Sequence, residues 1–297
     1  MSNVDGEGAL RGLQGLLLLV ALLAVLAMTA VQTAAADECI TITCDADFEK
    51  YGFPGNGTAD NPFIIANYTI EYCDQAIYIK NTRAYVVIEN CLLRENTYGL
   101  FLLNASNIKI VNCNFISNDY RGCYCSECSN ITFINCVFSH SSYEGVLCMD
   151  CSNINFSSCT FIADSLFLLG YCKEFHVTNC LVDGKPIFYY ECLINSTTGN
   201  LTAGELILNR CENLTVEHAE IDGADICLEI LASKKVKLEQ CTVSGDGRYG
   251  CYCRNSSYVQ FSESALSGSS YGCCCPKCSN ITFINCSFTN GWEGIEL

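Results

Sequence analysis

Apolar and polar residues alternate in short runs through most of the chain, and the runs recur. Cys128 to Phe138 reads CSNITFINCVF, and Cys278 to Phe288 reads CSNITFINCSF. Within this unit Ile131 and Phe133 alternate with polar neighbours, Asn135 and Cys136 mark a turn, and Phe138 sits in a second short run. A polar turn then leads to a glycine-headed run, Gly145-Val146-Leu147-Cys148. Period-two alternation over a few residues predicts β-strands, and the chain after the apolar leader lacks the sustained 3.6 periodicity of helices. Three such strands in about 22 residues make one coil of a solenoid.

Aligned on Cys136, the copies fall at Cys91, Cys113, Cys136, Cys159, Cys180, Ala219, Cys241, Ser264 and Cys286. The steps are 21 to 23 residues except one of 39, between Cys180 and Ala219. That long step holds the strand-like run 187–190 and the polar stretch 195–202, and it reads as an inserted loop or an extra short rung. The predicted fold is all-β, a single-stranded right-handed parallel β-helix. Coils stacked at roughly 4.8 Å would give a rod on the order of 45 Å long from about nine or ten turns. No coil can bury its own apolar side chains alone, so stability comes from stacking on neighbours. Residues 76–297 form the repeat domain and residues 37–75 an N-terminal cap. The last residues, from Trp292, begin a strand with nothing after it, which reads either as a chain truncated at the C-terminus or as an uncapped coil open to end-to-end self-association.

Leu13 to Val31 is almost wholly apolar and is followed by Ala34-Ala35-Ala36. This reads as a signal peptide over residues 1–36, and places the remainder outside the cytoplasm: secreted, periplasmic or on the cell surface. An uncleaved membrane anchor is the alternative. Cleavage would remove two acids (Asp5 and Glu7) and one base (Arg11), leaving a formal charge of −15. Such a surface repels phosphate backbones, which argues against a nucleic-acid partner.

The stretch GNGTADNPFIIANYTI (55–70), the run TRAYVVIENCLL (82–93), the NIT-x-x-NC coils and Asp183-Gly184-Lys185-Pro186 resemble the NosD-like β-helix family. The resemblance covers residues 50–297. That family lies within a wider group of carbohydrate-binding and sugar-hydrolysing β-helix proteins and takes its name from a periplasmic accessory protein of copper-enzyme maturation. The resemblance implies the β-helix fold, extracytoplasmic placement and a glycan or copper link, without implying a reaction.

All 25 cysteines follow the leader. They fall in columns. One holds Cys91, Cys113, Cys136, Cys159, Cys180, Cys241 and Cys286. A second holds Cys128, Cys151, Cys172, Cys211 and Cys278. A third, in the glycine-headed strand, holds Cys125, Cys148, Cys253 and Cys275, with Cys123, Cys251 and Cys273 two residues earlier. Other copies carry Leu or Ala at these positions, so the columns read first as small buried hydrophobes, with no cofactor. Cβ atoms of in-register neighbours sit too far apart for an easy disulfide, whereas a bridge between Cys39 and Cys44 is expected. The competing reading is a Cu or Zn site drawn from Cys123, Cys125, Cys128, Cys148, Cys151, Cys273, Cys274, Cys275 and Cys278, with Cys274 facing outward, because soft thiolates select those ions.

Tyr98, Tyr120, Tyr143, Tyr249, Tyr271 and Trp292 all precede or open the glycine-headed strand, beside Asp119, Arg121, Glu144, Asp246, Arg248 and Glu293. Stacking places them along one edge, where aromatic faces and carboxylates suit a sugar chain; a tyrosine stack covering the turn is the structural alternative. Tyr98, Tyr120, Tyr143, Glu144, Tyr249, Tyr271 and Trp292 are therefore the candidate glycan-binding residues. No pair of carboxylates is marked as an acid–base couple, and His140, His176 and His218 share no ligand spacing. Eleven Asn-x-Ser/Thr sites occur; those in NIT turns belong to the repeat, while Asn195 and Asn200 are the better glycan acceptors. The sequence thus predicts a non-catalytic protein that binds glycan or cell-envelope components or serves as a scaffold. A copper-binding accessory protein and a polysaccharide hydrolase or lyase are the alternatives.

Overall fold

The computed structural model describes residues 38–245, 247–268, 270–289 and 293–296. The signal-peptide segment, Asp246 and Trp292 lie outside these residues, as does the side chain of Glu293. The described chain is a parallel β-solenoid with one short helix, Ala46–Lys50.

Each coil has three strands joined by corners that the sequence prepares. Asn90, Asn112 and Asn135 adopt left-handed backbone, with φ of 53°, 52° and 51°. Asn tolerates this region better than most residues, and each is followed by an inward-pointing Cys. The asparagines also hydrogen-bond one another up the stack: Asn135 Nδ2 donates to Asn112 Oδ1 at 3.4 Å, and Asn112 Nδ2 to Asn90 Oδ1 at 3.3 Å. A second ladder runs through the NIT asparagines, where Asn130 Nδ2 donates to Asn107 Oδ1 at 2.7 Å. The glycine heading the third strand is required by packing. A Cβ on Gly122 would lie 2.7 Å from the carbonyl oxygen of Gly145 and 3.0 Å from the Phe138 ring.

In-register stacking sends like onto like. Phe133 stacks on Phe156 with ring centroids 4.7 Å apart, and Phe115 on Phe138 at 4.7 Å. These rings, with Ile131, Ile154 and Phe161, are fully buried, as expected of the inward positions. The cysteine columns belong to the same interior. Cys113, Cys136 and Cys151 each donate to the carbonyl two residues back, at 3.4, 3.5 and 3.3 Å.

The coils do not form one straight rod. Strands up to Val182 make a first stack of six rungs, whose glycine-headed sheet runs from Ile40–Ile42 to Leu166–Leu169. There the chain turns back in a two-residue hairpin. Asp183 and Gly184 both have positive φ, 47° and 81°, and Val182 pairs antiparallel with Lys185. This is the backbone that Asp-Gly favours in a tight hairpin. The strand Lys185–Glu191 then founds a second stack, and parallel pairing resumes with Glu205–Asn209. Lys185–Glu191, Ile194–Gly199 and Thr202–Ala203 form a complete rung, so the long step is an extra rung and not an inserted loop. Through the hairpin, the short-strand sheet of the first stack continues into the glycine-headed sheet of the second, giving twelve strands in one sheet.

That reversal gives the second glycine-headed sheet two buried faces. Leu206, Leu208, Leu228 and Ile230 line its own core, while Glu205, Ile207, Cys227, Glu229 and Tyr252 are buried on the other face. The second face covers the end of the first stack. The backbone N–H groups of Leu166 and Leu168 donate to Glu205 Oε2 and Glu229 Oε2, each at 3.2 Å. Glu191 Oε2 accepts from Glu174 N at 2.9 Å, and Asn209 Nδ2 donates to the Cys172 carbonyl at 3.0 Å. Side chains thus satisfy the strand edges that another rung would have paired.

The expected Cys39–Cys44 bridge is corrected. Cys39 is bonded to Cys73, with Cα atoms 6.0 Å apart, and Cys44 is free and exposed. Ile40 pairs with Ile77 in the next rung. Cys73 sits in the turn before that strand, so the bridge runs diagonally between rungs rather than between in-register positions.

Candidate functional site

The strands that position the tyrosines also present a second set of rings. On the outward face of the first glycine-headed sheet, Tyr78, Phe101, Tyr124, Leu147 and Phe167 follow one another in register. Phe101 packs against Tyr78 at 5.4 Å and against Tyr124 at 4.7 Å. The predicted tyrosines lie beside this row. Tyr98 meets Phe101 at 5.0 Å and Tyr120 at 5.4 Å, and Tyr120 meets Tyr143 at 4.4 Å. At the far end Phe167 contacts Tyr252 edge-on at 5.1 Å; Tyr252 then meets Tyr249 at 5.3 Å, and Tyr249 meets Tyr271 at 5.5 Å. Ring contacts therefore pass from the first stack onto the second through Phe167, Tyr252 and Tyr249, which are buried.

The predicted site residues do not form a single line. Tyr98, Tyr120, Tyr143 and Glu144 belong to the first stack and Tyr249 and Tyr271 to the second; of these, Tyr143 and Glu144 line a cleft between the stacks. That cleft, of about 280 Å³, is lined by Tyr143, Glu144, Asp225, Ile226 and Arg248 among others. A larger neighbour of about 520 Å³ is lined by Asp183, Lys185, Asp222 and Asp225, and Lys185 forms an ion pair with Asp222. Asp225 borders both.

Charge at the cleft is unevenly compensated. Glu144 is only 4% exposed and accepts a hydrogen bond from Arg121 Nε at 2.7 Å. The Arg121 guanidinium also lies 4.4 Å from the Tyr120 ring centroid, and Arg248 lies 5.0 Å from that of Tyr249, so cations occupy part of the aromatic faces. Asp164 is fully buried and accepts from the backbone N of Ser141 at 3.2 Å. Burial, and then the nearby Asp225 carboxylate, push its carboxyl up to about 8. Burial pushes Asp225 up to about 7, with Glu144 and Asp183 adding to the effect. Desolvation and neighbouring carboxylates thus bring both titrations near neutral pH.

The structure brings together Tyr143, Glu144 and Arg248, which the sequence had placed on one edge. The sequence reading missed Tyr78, Phe101, Tyr124, Phe167 and Tyr252. Their signal was present, because each sits at an outward position of the same strand of the coil, two residues beyond Gly99, Gly122 or Gly250 for Phe101, Tyr124 and Tyr252, and beyond Ala76 and Ser165 for Tyr78 and Phe167. Asp164, Asp183 and Asp225 were missed because they come from coils far apart in sequence.

The thiols proposed for metal lie in the core. Cys123 and Cys125 have sulfurs 3.6 Å apart, Cys273 and Cys275 3.4 Å, and Cys253 and Cys278 3.5 Å. Cys128 donates to the Ser126 carbonyl at 3.2 Å, and Cys151 to the Cys125 carbonyl at 3.5 Å; Cys148 is fully buried. Cys274 turns to the opposite face from its neighbours and donates to Glu296 Oε2 at 3.3 Å. Among the described residues no group of three or more Cys, His, Asp or Glu side chains is arranged to hold a metal ion. Alternation sends most of these thiols into the packed interior, where Cys128, Cys151 and Cys278 also find carbonyl acceptors. Burial pushes Cys172 and Cys227 up to about 12, which keeps both protonated.

The chain belongs to the right handed beta helix family, whose described region matches residues 52–205 and 204–297. No curated protein matches it in sequence. Among solved structures it is similar to the surface adhesin PfbA of Streptococcus pneumoniae, at 14% identity and a TM-score of 0.33, over 79% of this chain and 63% of that one. It is also similar to the A-module of the Azotobacter vinelandii mannuronan C-5 epimerase AlgE4, at 11% identity and a TM-score of 0.31, over 84% and 97% of the two chains. A third similarity is to pectate lyase Pel9A, at 10% identity and a TM-score of 0.33, over 87% and 81%. The chain thus spans less than two thirds of the adhesin's length. These similarities extend to the fold and no further.

Proposed function

We propose that the protein binds a glycan chain along the outward face of its first glycine-headed sheet and into the adjoining cleft, without cleaving it, and does so outside the cytoplasm as a NosD-like surface or secreted protein. The observation that carries this reading is the partly exposed row Tyr78, Phe101 and Tyr124 on the first stack, flanked by Tyr98, Tyr120 and Tyr143 up to the cleft. Sugar rings present C–H faces that pack on aromatic rings, while Glu144, Asp225 and Arg248 supply hydrogen-bond partners in the cleft where the two parts meet. Tyr143 is 39% exposed and stands at the mouth of that cleft, so it is the expected anchor.

A second reading, polysaccharide cleavage, is favoured by the protonated Asp225 at the cleft, which has the state a general acid needs. One experiment separates the two. Neutral hexasaccharides of glucose, xylose and N-acetylglucosamine are titrated calorimetrically against the full chain and then analysed for length. Binding by at least one, with the sugar recovered intact and affinity lowered about tenfold in Tyr143→Ala, supports the binding reading, since a ring contact contributes about 1 kcal/mol. Shorter products that vanish in Asp225→Asn would transfer the assignment to cleavage. No binding by any of the three, or a Tyr143→Ala variant that binds like the parent, removes the aromatic face as the site.

A further inference from the structure

Glu205 and Glu229 lie on adjacent rungs of the second stack, on the sheet face turned toward the first stack. Both are fully buried. One oxygen of each accepts a backbone N–H from the last glycine-headed strand of the first stack, Leu166 N for Glu205 and Leu168 N for Glu229. The other oxygen, Oε1 in each, has no donor among the described residues. Yet the two carboxyls lie within hydrogen-bonding reach of each other.

Two ionised carboxylates cannot form that bond, because both are acceptors only. Two like charges buried side by side would also be strongly unfavourable. A single proton resolves both problems: it supplies the donor and removes one charge. We propose that Glu205 and Glu229 share one proton and act as a clasp that holds the end of the first stack against the face of the second, loosening when that proton is lost.

The groups facing the pair give the clasp its direction. Cys227 stands beside Glu205; Cys172, from the first stack, and Tyr252, from the next rung, stand near Glu229. Asp225 acts on Glu205, and Glu144 on Glu229, as further negative charges. Asp164 lies along the same junction and is coupled to Asp225 and Glu144. The one cation near them on this face, Arg254 on the next rung, acts on Tyr252, and the charges acting on the two carboxyls themselves are negative. Burial therefore holds both carboxyls well above the ordinary glutamate value of 4.5. The folded chain keeps a proton that the unfolded chain releases above that value. The clasp is consequently at full strength below the unfolded value and weakens as pH rises through the pair's own titration. This inference does not depend on glycan binding.

The test uses the full chain between pH 5 and 9. Denaturant unfolding is followed together with amide hydrogen exchange, expressed as protection relative to intrinsic rates. One retained proton raises the unfolding constant by up to about tenfold per pH unit. Glu229→Gln, which supplies a permanent donor in place of the proton, should remove this one-proton slope, whereas Asp164→Asn should leave the pair's share intact. In the parent protein Leu166 and Leu168 should lose protection as pH rises, while Ile108 and Ile110, in mid-stack, keep theirs. A Glu229→Gln variant with the parental slope overturns the proposal, as does protection of Leu166 and Leu168 that stays constant with pH. Should Glu229→Gln fail to fold, the exchange profile of the parent decides alone.

Discussion

The two glycine-headed sheets are built from the same repeat and meet opposite fates. In the first stack the sheet's outward face carries Tyr78, Phe101 and Tyr124, all partly exposed to solvent. In the second the equivalent face carries Ile207, Glu229 and Tyr252, all buried. Strand geometry is shared: parallel pairing, a glycine at the head and cysteines turned inward. What differs is the neighbour. The hairpin at Asp183-Gly184 turns the second sheet so that its outward face covers the end of the first stack. Burial of an outward position is thus a property of the junction, and the repeat does not encode it.

Substitutions can test how far the two stacks are equivalent. The largest effects should come from the interiors, where they ought to be alike. Phe133→Ala in the first stack and Phe261→Ala in the second each remove a fully buried ring and should each cost about 3–5 kcal/mol in denaturant unfolding. A cost in one stack much below the other would show that the cores are not equivalent.

A smaller effect should mark an asymmetry at the ends. The first rung of the first stack is tied to the second rung by Cys39–Cys73, while the far end of that stack is held by side-chain hydrogen bonds, ring packing and the pairing at the hairpin. Cys39→Ser should lower stability by about 2–4 kcal/mol, and adding reductant to the variant should change nothing further. Continued sensitivity of the variant to reductant would reveal another bridge among the cysteines.

The smallest effect isolates the outward faces themselves. Tyr252→Ala should cost about 2–3 kcal/mol, because Tyr252 is 8% exposed and packs on Phe167. Tyr124→Ala, on the partly open face, should cost less than about 1 kcal/mol. Similar losses at the two positions would mean that the first sheet is also covered, and would weaken its assignment as a binding surface.

Much of the molecule could be read from residue order. The corner asparagines, the Asn-Cys turns and the recurring Ile-x-Phe pairs announce a coil of three short strands, because side-chain direction alternates along a strand and stacked coils align like positions. Tyr143 and Glu144 could be found as site candidates for the same reason. Other features were hidden. The Cys39–Cys73 bridge was obscured because a sequence does not show how a turn in one rung approaches the next. Asp164 and Asp225 carry no motif, and only the junction brings them together.

The sequence by itself therefore determined the coil: its length, its corners, which residues point inward and the inward columns of cysteine and phenylalanine. These follow from local periodicity and from contacts between adjacent copies of one unit. Only the tertiary structure decided that the coils form two stacks, that Glu205 and Glu229 are buried, and that Tyr143 and Glu144 share a cleft with Asp225 and Arg248. Those features depend on a reversal at two residues, Asp183 and Gly184, that carries one stack's outer face onto the other's open end. Contacts across such a junction join positions as distant in sequence as Leu168 and Glu229, 61 residues apart, or Phe167 and Tyr252, farther still, and no repeat period predicts them.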